Sequence, residues 1–499
     1  MNFNPIFILL VTLFLFNRLD AFPQVQSDVA STNKLTYSIN QLAKDKGLKN
    51  AALGFYAINV KTGNVIAEYN SYQSIVPAST MKIITTSAAL LMFGIDHRFK
   101  TTLQYDGYID SSCVLNGNIY IKGGGDPSLG STLLGEKHRQ LAFLTQWADA
   151  VMQLGIVKIN GAIIADDKIF NGDFIPASWT WGDIGNYYGA GASGLSIFDN
   201  VYEIEFESGQ KAGDATCVKD IYPCMPYLDL INEVKSSDSG GDNSYIFGAP
   251  FTEQRTIRGT IPAQRKSFKV RGAIPDPPFL AAIILDETLR TFGVEISGSP
   301  TTVRKLKENS VINNKGRNDF HTFYSYRLDS IVYYTNMKSI NPYAESLLNH
   351  IGIKKYKSGD TQSGAKALKE FWQSKGIDTE GMFIADGSGL SRSNAITARQ
   401  LVEILKLMST SKEYDVFYNS LPIAGRSGSI ANICKGTCAE NNLRAKSGYM
   451  NKVRSYAGYV KTKKGDPLAF AFMVNNFNCS ASEMKQKIEN LMVTMAELE

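Results

Sequence analysis

Apolar positions at helical spacing through 33–47 (NKLTYSINQLAKDKG) predict an amphipathic helix. Two runs with strand patterning, 52–60 and 64–69, are joined by Lys61-Thr62-Gly63 and predict a hairpin. A further apolar stretch (Ile83, Ile84, Ala88, Ala89, Leu90, Leu91) predicts a helix opened by Pro77 and Ala78, and closes a unit that runs to about 99. The texture then changes. Short strands at 100–105 and 118–121 lead into the turn-forming loop Gly123-Gly124-Gly125-Asp126-Pro127-Ser128, a helix over 131–154 and a strand at 158–166. Residues 179–200, rich in Gly, Tyr and Trp, read as an ordered loop. Alternating strands continue to about 275 (202–206, 244–248 and 267–270 among them), followed by a helix at 278–292. The polar stretch 305–319 marks a boundary. Beyond it the pattern predicts a strand at 320–327, helices at 329–352, 363–376 and 395–410, strands at 442–445, 455–461 and 468–474, and a terminal helix at 480–497. The fold class expected is α+β: an antiparallel sheet flanked by helices, built from 22–99 and 315–499 and interrupted by a large, mostly β insertion at 100–314. No internal repeat or low-complexity segment is found.

At the front of the chain, residues 6–16 are apolar except for Thr12. Eleven residues are too few to span a bilayer but match the core of a secretory leader, with cleavage expected after Ala21. The leader departs from the usual pattern in having no Lys or Arg before the apolar run. No Cys follows that would carry a lipid, so an exported, periplasmic protein is expected, with peripheral contact to wall or membrane allowed. A net charge of +5 without a dense basic run argues against nucleic acid. The six cysteines leave open small loops closed by Cys217/Cys224 and Cys434/Cys438. No Cys-x-x-Cys occurs, and His97, His138, His321 and His350 are not at ligand spacing, so neither metal nor cofactor is expected.

The chemistry turns on Ser79-Thr80-Met81-Lys82. Residues three apart share a helix face, so a serine and a lysine meet there without histidine, and Ser79 lies at the positive end of the helix dipole. Spacing alone decides little, because Ser-x-x-Lys also occurs at Ser31, Ser208, Ser363, Ser409 and Ser482. Lysine-assisted acyl transfer also needs a second hydroxyl, an amide and a cationic strand. Ser-x-Asn occurs at Ser31, Ser38 and Ser339, and Lys-Ser/Thr-Gly at Lys61, Lys357 and Lys446. A set confined to 31–63 would put its lysine in a hairpin turn, and Lys357-Ser358-Gly359 reads as a loop. Ser79/Lys82, Ser339/Asn341 and Lys446/Ser447/Gly448 remain, in the required order. Asp166-Asp167 reads as structural or substrate-side and Trp179 as packing. No Gly-x-Ser-x-Gly elbow is present.

Flanking residues make the match specific: PASTMK (77–82), GGGDPSL (123–129), ADDKIF (165–170), WTWGDIGNYYGAGASGLSIFDN (179–200), MKSINPYAESLL (337–348), DGSGLSRSNAIT (386–397), SLPIAG (420–425) and RAKSGYM (444–450). With these the chain resembles the low-molecular-mass class C penicillin-binding proteins, the D-alanyl-D-alanine carboxypeptidase–endopeptidases, over nearly its whole mature length. Ser447 stands where threonine is commoner and keeps the hydroxyl. The resemblance implies a β-lactamase/transpeptidase-like domain and a serine DD-peptidase acting on peptidoglycan stem peptides and cross-links. It implies that Ser79 is the nucleophile, Lys82 its base, and Ser339 a proton relay to the leaving amine. Asn341 would hold the substrate backbone, and Lys446, Ser447 and Gly448 would position the terminal carboxylate. The N–H groups of Ser79 and Tyr449 would form the oxyanion hole, and β-lactams would be covalent inhibitors. A β-lactamase on the same scaffold is disfavoured by Ser339-Ile340-Asn341 and the long insertion; a non-catalytic wall-binding or penicillin-sensing protein is the other alternative.

Overall fold

The computed structural model describes residues 34–134, 141–306 and 316–499. The expected leader at 1–21 lies outside them, as does part of the boundary at 305–319.

A five-stranded antiparallel sheet organises the domain that carries the chain's two ends. Its order is Arg444–Met450, Val453–Lys461, Pro467–Asn475, Ala52–Asn59, Val65–Tyr69. The central strands are apolar on both faces because both are covered. Phe55, Ala57, Phe470, Phe472 and Val474 pack with the 34–43 and Ala481–Ala496 helices. Tyr56, Ile58, Ala469, Ala471 and Met473 pack against a cluster of helices on the other side. That two-residue alternation sorts one strand between two cores. The terminal helix starts where Ser480 and Glu483 form a capping box.

At the centre of the helical side lies Met81–Phe93, in which every residue from Met81 to Leu90 is buried. A helix buried all round has no solvent stripe. Its polar members are therefore satisfied internally: Thr86 and Ser87 donate to Lys82 O and Ile83 O, each at 2.6 Å, and Thr85 donates to Gly387 O at 2.7 Å. The expected helix over 329–352 is in fact two, Leu328–Met337 and Asn341–Tyr356, broken at Ser339, whose φ is 61°. The expected helix at 131–154 is described only as Ala142–Gln153, and the strand at 158–166 is split into Lys158–Ile159 and Ile163–Asp166. Gly161 lies in that split, where a Cβ would stand 2.2 Å from Gly117 O. The short helix Tyr414–Ser420 was not anticipated.

The insertion has its own core and four small sheets. Its five-stranded sheet pairs Lys100–Tyr105 with Asn318–Tyr324, so the strand expected after the boundary completes the insertion instead. We propose that the insertion, expected to end at 314, extends through Tyr324. Ion pairing between Arg317 and Asp166, at 2.7 Å and largely buried, fastens this return. All six cysteines are unpaired thiols, so neither small disulfide loop is formed.

Short hydrogen bonds seat the insertion on the Asn341–Tyr356 helix. Gly125 O accepts Ser346 Oγ at 2.6 Å, Asp199 Oδ1 accepts the Tyr343 hydroxyl at 2.5 Å, and Tyr188 O accepts Asn341 Nδ2 at 2.6 Å. The glycine loop at 123–125 is thus a docking turn. Gly124 is required there, since a Cβ would come within 1.7 Å of Lys100 O.

Candidate active site

A tight 3-10 turn, Ala78–Thr80, feeds the buried Met81–Phe93 helix and holds Ser79 half-exposed at its N-terminus. Ala78 has φ 47°, a left-handed conformation that costs energy for a residue with a side chain and persists only when its surroundings fix it. Those surroundings are identifiable. Pro77 O accepts the hydroxyls of Thr80 (2.8 Å) and Ser455. Gly389, at φ 84°, comes so close to Ala78 O that a Cβ would stand 1.9 Å from it.

Lys82 is fully buried one turn on. Its Nζ donates to Ser79 Oγ at 3.2 Å, Asn341 Oδ1 at 2.5 Å and Ser388 O at 2.7 Å. Burial pushes its pKa down to about 7, against the pull of Asp386 and Glu345. A lysine near neutrality is poised to take a proton from the hydroxyl it touches. Glu345 is itself raised to about 8, by burial and then by the neighbouring Asp386 carboxylate. It accepts the N–H groups of Gly387 and Ser388 at 2.9 and 2.7 Å and so fixes the carbonyl that orients Lys82.

Asp386 anchors the same loop. It accepts from Gly389 N (2.7 Å), Ser391 N (2.5 Å), Asn394 Nδ2 (2.7 Å) and Trp179 Nε1 (2.8 Å) while fully buried. Asp386→Ala would strand four donors, each costing about 1–3 kcal/mol when left unsatisfied, with partial relaxation. We expect a net loss of about 3 kcal/mol or more, read from the denaturant midpoint; a change below about 1 kcal/mol would contradict this account.

A second buried lysine approaches from the sheet. Lys446 Nζ donates to Ser339 Oγ at 2.9 Å and to Ser447 O at 2.8 Å. Its pKa is held well below the usual lysine range by burial and by Lys82. Arg444–Met450 is the edge strand of the main sheet. Ala445 N points away from the sheet to Pro422 O at 3.0 Å, so the two-residue period turns the N–H groups of Ser447 and Tyr449 outward as well. The strand lies close against the serine turn because residue 448 is glycine. A Cβ there would meet Ser455 Oγ at 2.1 Å, Pro77 O at 2.6 Å and Ala78 Cβ at 3.0 Å. Gly448→Ala must push strand and turn apart. A misplacement of about 1 Å can cost about 100-fold in rate. We expect acylation by a labelled penicillin to slow by roughly ten- to 100-fold with the fold retained; an unchanged rate would show that the close approach is dispensable.

Two hydrogen-bonded groups, Ser79–Lys82–Asn341 and Ser339–Lys446, thus face each other closely enough for one lysine to depress the pKa of the other, with Ser447, Gly448 and Tyr449 along the rim. Two placements differ from expectation. Asn341 has both ends of its amide engaged within the protein, to Lys82 and to Tyr188 O. Ser447 Oγ is bonded to Ser429 Oγ at 2.6 Å. Trp179, read as packing, is tied to Asp386, and Asp166 is ion-paired. Among the described residues no cluster of His, Cys, Asp or Glu is arranged to hold a metal.

The profile of the family described as D-Ala-D-Ala carboxypeptidase 3 (S13) matches residues 35–498. A D-alanyl-D-alanine carboxypeptidase of Actinomadura sp. (strain R39) is 28% identical over 90% of this chain and 82% of its own length. D-alanyl-D-alanine carboxypeptidase DacB of Haemophilus influenzae is 26% identical over 87% and 88%. The crystal structure of penicillin binding protein 4 from Haemophilus influenzae superposes with a TM-score of 0.77 at 25% identity, covering 92% of this chain and 99% of that one.

Proposed function

Since the chain belongs to the D-Ala-D-Ala carboxypeptidase 3 (S13) family, we propose that it is a serine DD-peptidase of peptidoglycan, a carboxypeptidase with DD-endopeptidase activity. The observation that carries this reading is the bond from a fully buried lysine of lowered pKa to the half-exposed Ser79 hydroxyl.

Ser79 Oγ attacks the carbonyl of the penultimate D-alanine and passes its proton to neutral Lys82. The N–H groups of Ser79 and Tyr449 donate to the carbonyl oxygen as its negative charge develops; Tyr449 N–H is outward-facing on the edge strand, as this role needs. Ser339, held by Lys446, relays a proton to the leaving amine and is reprotonated at the expense of Lys82, which returns to its neutral form. Lys446, Ser447 and Gly448 seat the terminal carboxylate. Asn341 serves first as the brace for Lys82 and for the 186–188 loop, and meets substrate only if one of these bonds is exchanged. Water then frees the acyl group. β-Lactams would acylate the same serine and stay bound. The leader at 1–21 would route the protein to the periplasm, and among the described residues no helix is long and apolar enough to cross a membrane.

Incubation with labelled penicillin and mass mapping of the adduct tests the reading, together with D-alanine release from a pentapeptide. Label on Ser79 with slow release and free D-alanine supports it. Label elsewhere, or rapid turnover of the antibiotic without D-alanine release, overturns it.

A further inference from the structure

A cleft opens beside the catalytic groups and shares Ser339 and Asn341 with them. It has a volume of about 1100 Å³ and is bounded on one side by 338–342 and on the other by a face of the insertion. That face belongs to the three-stranded sheet Cys217–Tyr222, Val201–Glu207, Phe268–Ala273.

Its chemistry follows from the strict alternation of the central strand. In Val201–Glu207 the apolar Tyr202, Ile204 and Phe206 are buried in the insertion core, and Glu203 and Glu205 point the other way. Strand register extends each glutamate into a charged rung. Glu203 lies between Arg271 and Tyr222, and Glu205 between Lys269 and Asp220. All six of these residues line the cleft. Lys269 is ion-paired with Glu203. The Arg271 guanidinium forms no ion pair or side-chain hydrogen bond with a described residue; it lies 4.1 Å from the ring centre of Tyr187, and its charge reaches the Asp199 carboxylate of the same cleft. An exposed guanidinium held over a ring in a cleft keeps its planar donor fork free for a carboxylate.

The placement ties this face to the leaving group. Asn186 bridges to Gly272, and Tyr188 O accepts Asn341 Nδ2, so the 186–188 loop links Arg271's strand directly to the Ser339-Ile340-Asn341 turn. On the proposed function, the leaving amine departs at Ser339. A single departing alanine would occupy only a small part of this volume, whereas the amine released from a cross-link carries a whole peptide. Such a peptide bears both carboxylate and ammonium groups, which suit a face of alternating sign.

We propose that this cleft is the subsite for the leaving peptide of a cross-linked stem-peptide dimer, with Arg271 binding one of its carboxylates. This rests on the DD-peptidase reading above. The insertion then supplies substrate length discrimination to a site built by the other domain.

The test compares wild type with Arg271→Ala on two substrates, a purified DD-cross-linked muropeptide dimer and a monomeric pentapeptide, with penicillin acylation of Ser79 as the control for folding. We expect kcat/KM on the dimer to fall about tenfold or more, chiefly through KM, with Arg271→Lys partly restoring it and the other two readouts within about twofold. Should Arg271→Ala fail to fold, Arg271→Gln keeps the bulk over Tyr187 and serves the same comparison. A wild type that releases D-alanine but leaves the dimer intact overturns the inference and the endopeptidase part of the functional reading, and leaves its carboxypeptidase part standing. A variant that cleaves the dimer as well as wild type, or one that loses both substrates equally, overturns the inference alone. A wild type that is neither acylated at Ser79 nor active on the pentapeptide fails the functional reading itself.

Discussion

Ser79→Ala is expected to abolish penicillin adduct formation and to lower D-alanine release by about 10⁴-fold or more, the scale seen when a covalent nucleophile is removed. The fold should survive. Ser79 is half-exposed, and its hydroxyl makes a single contact, to Lys82 Nζ. Lys82 keeps Asn341 Oδ1 and Ser388 O when that contact goes. The left-handed turn is fixed by Thr80, Ser455 and Gly389, none of which bonds to the Ser79 side chain. The thermal midpoint should therefore stay within about 2 °C of wild type, since a surface change of this kind is within about 0.5 kcal/mol. Mass spectrometry of the variant after exposure to labelled penicillin decides the matter: a stoichiometric adduct would place the nucleophile elsewhere.

How much of this was legible in the sequence depends on the range of each contact. Ser79 and Lys82 were readable because one helical turn joins them, and the same rule would have found Glu345, four residues after Asn341 on the same helix face. That glutamate was passed over because it lies within a stretch read only for its Ser-x-Asn. Asp386 and Ser388 lie in DGSGLSRSNAIT, a stretch that carries the resemblance, but nothing in it says that its carbonyl orients a lysine. Ser455 carried no sequence signal. It matters because strand register sets it opposite Gly448, and register is a property of the sheet. The pairing of the strand after 315 is hidden from the sequence for a related reason. A polar stretch does mark a break, but the strand after it finds its partner more than two hundred residues earlier, at Lys100–Tyr105. The kink at Ser339 was hidden because both flanking segments have helical patterning; only the positive φ breaks them apart.

Lys82→Met should separate the chemistry of the base from the packing of the helix. Methionine fills much of the same volume without a titratable group. Removing a general base costs about 10²–10⁴-fold, so acylation should fall by about that factor while Ser79 remains present. The pH profile supplies the sharper criterion. With the Lys82 pKa lowered to about 7, the wild-type acylation rate should climb between pH 6 and 8 as the amine becomes neutral, and the variant's residual rate should lack that rise. Stability has its own sign. A lysine whose pKa is lowered from 10.5 to about 7 binds fewer protons folded than unfolded, so its contribution to stability rises with pH from about 7 to 10.5 and is flat below. Glu345 opposes it: raised from 4.5 to about 8, it holds a proton in the folded state, and its contribution falls as pH rises through that window. Lys82→Met removes the first dependence and leaves the second, so the variant should lose stability relative to wild type as pH rises above 7. Two buried acceptors, Asn341 Oδ1 and Ser388 O, also lose their donor, at about 1–3 kcal/mol each, offset in part because no ammonium is buried. If acylation by the variant still rises through pH 7, some other group takes the Ser79 proton, and Lys446, the second buried lysine, becomes the base to test.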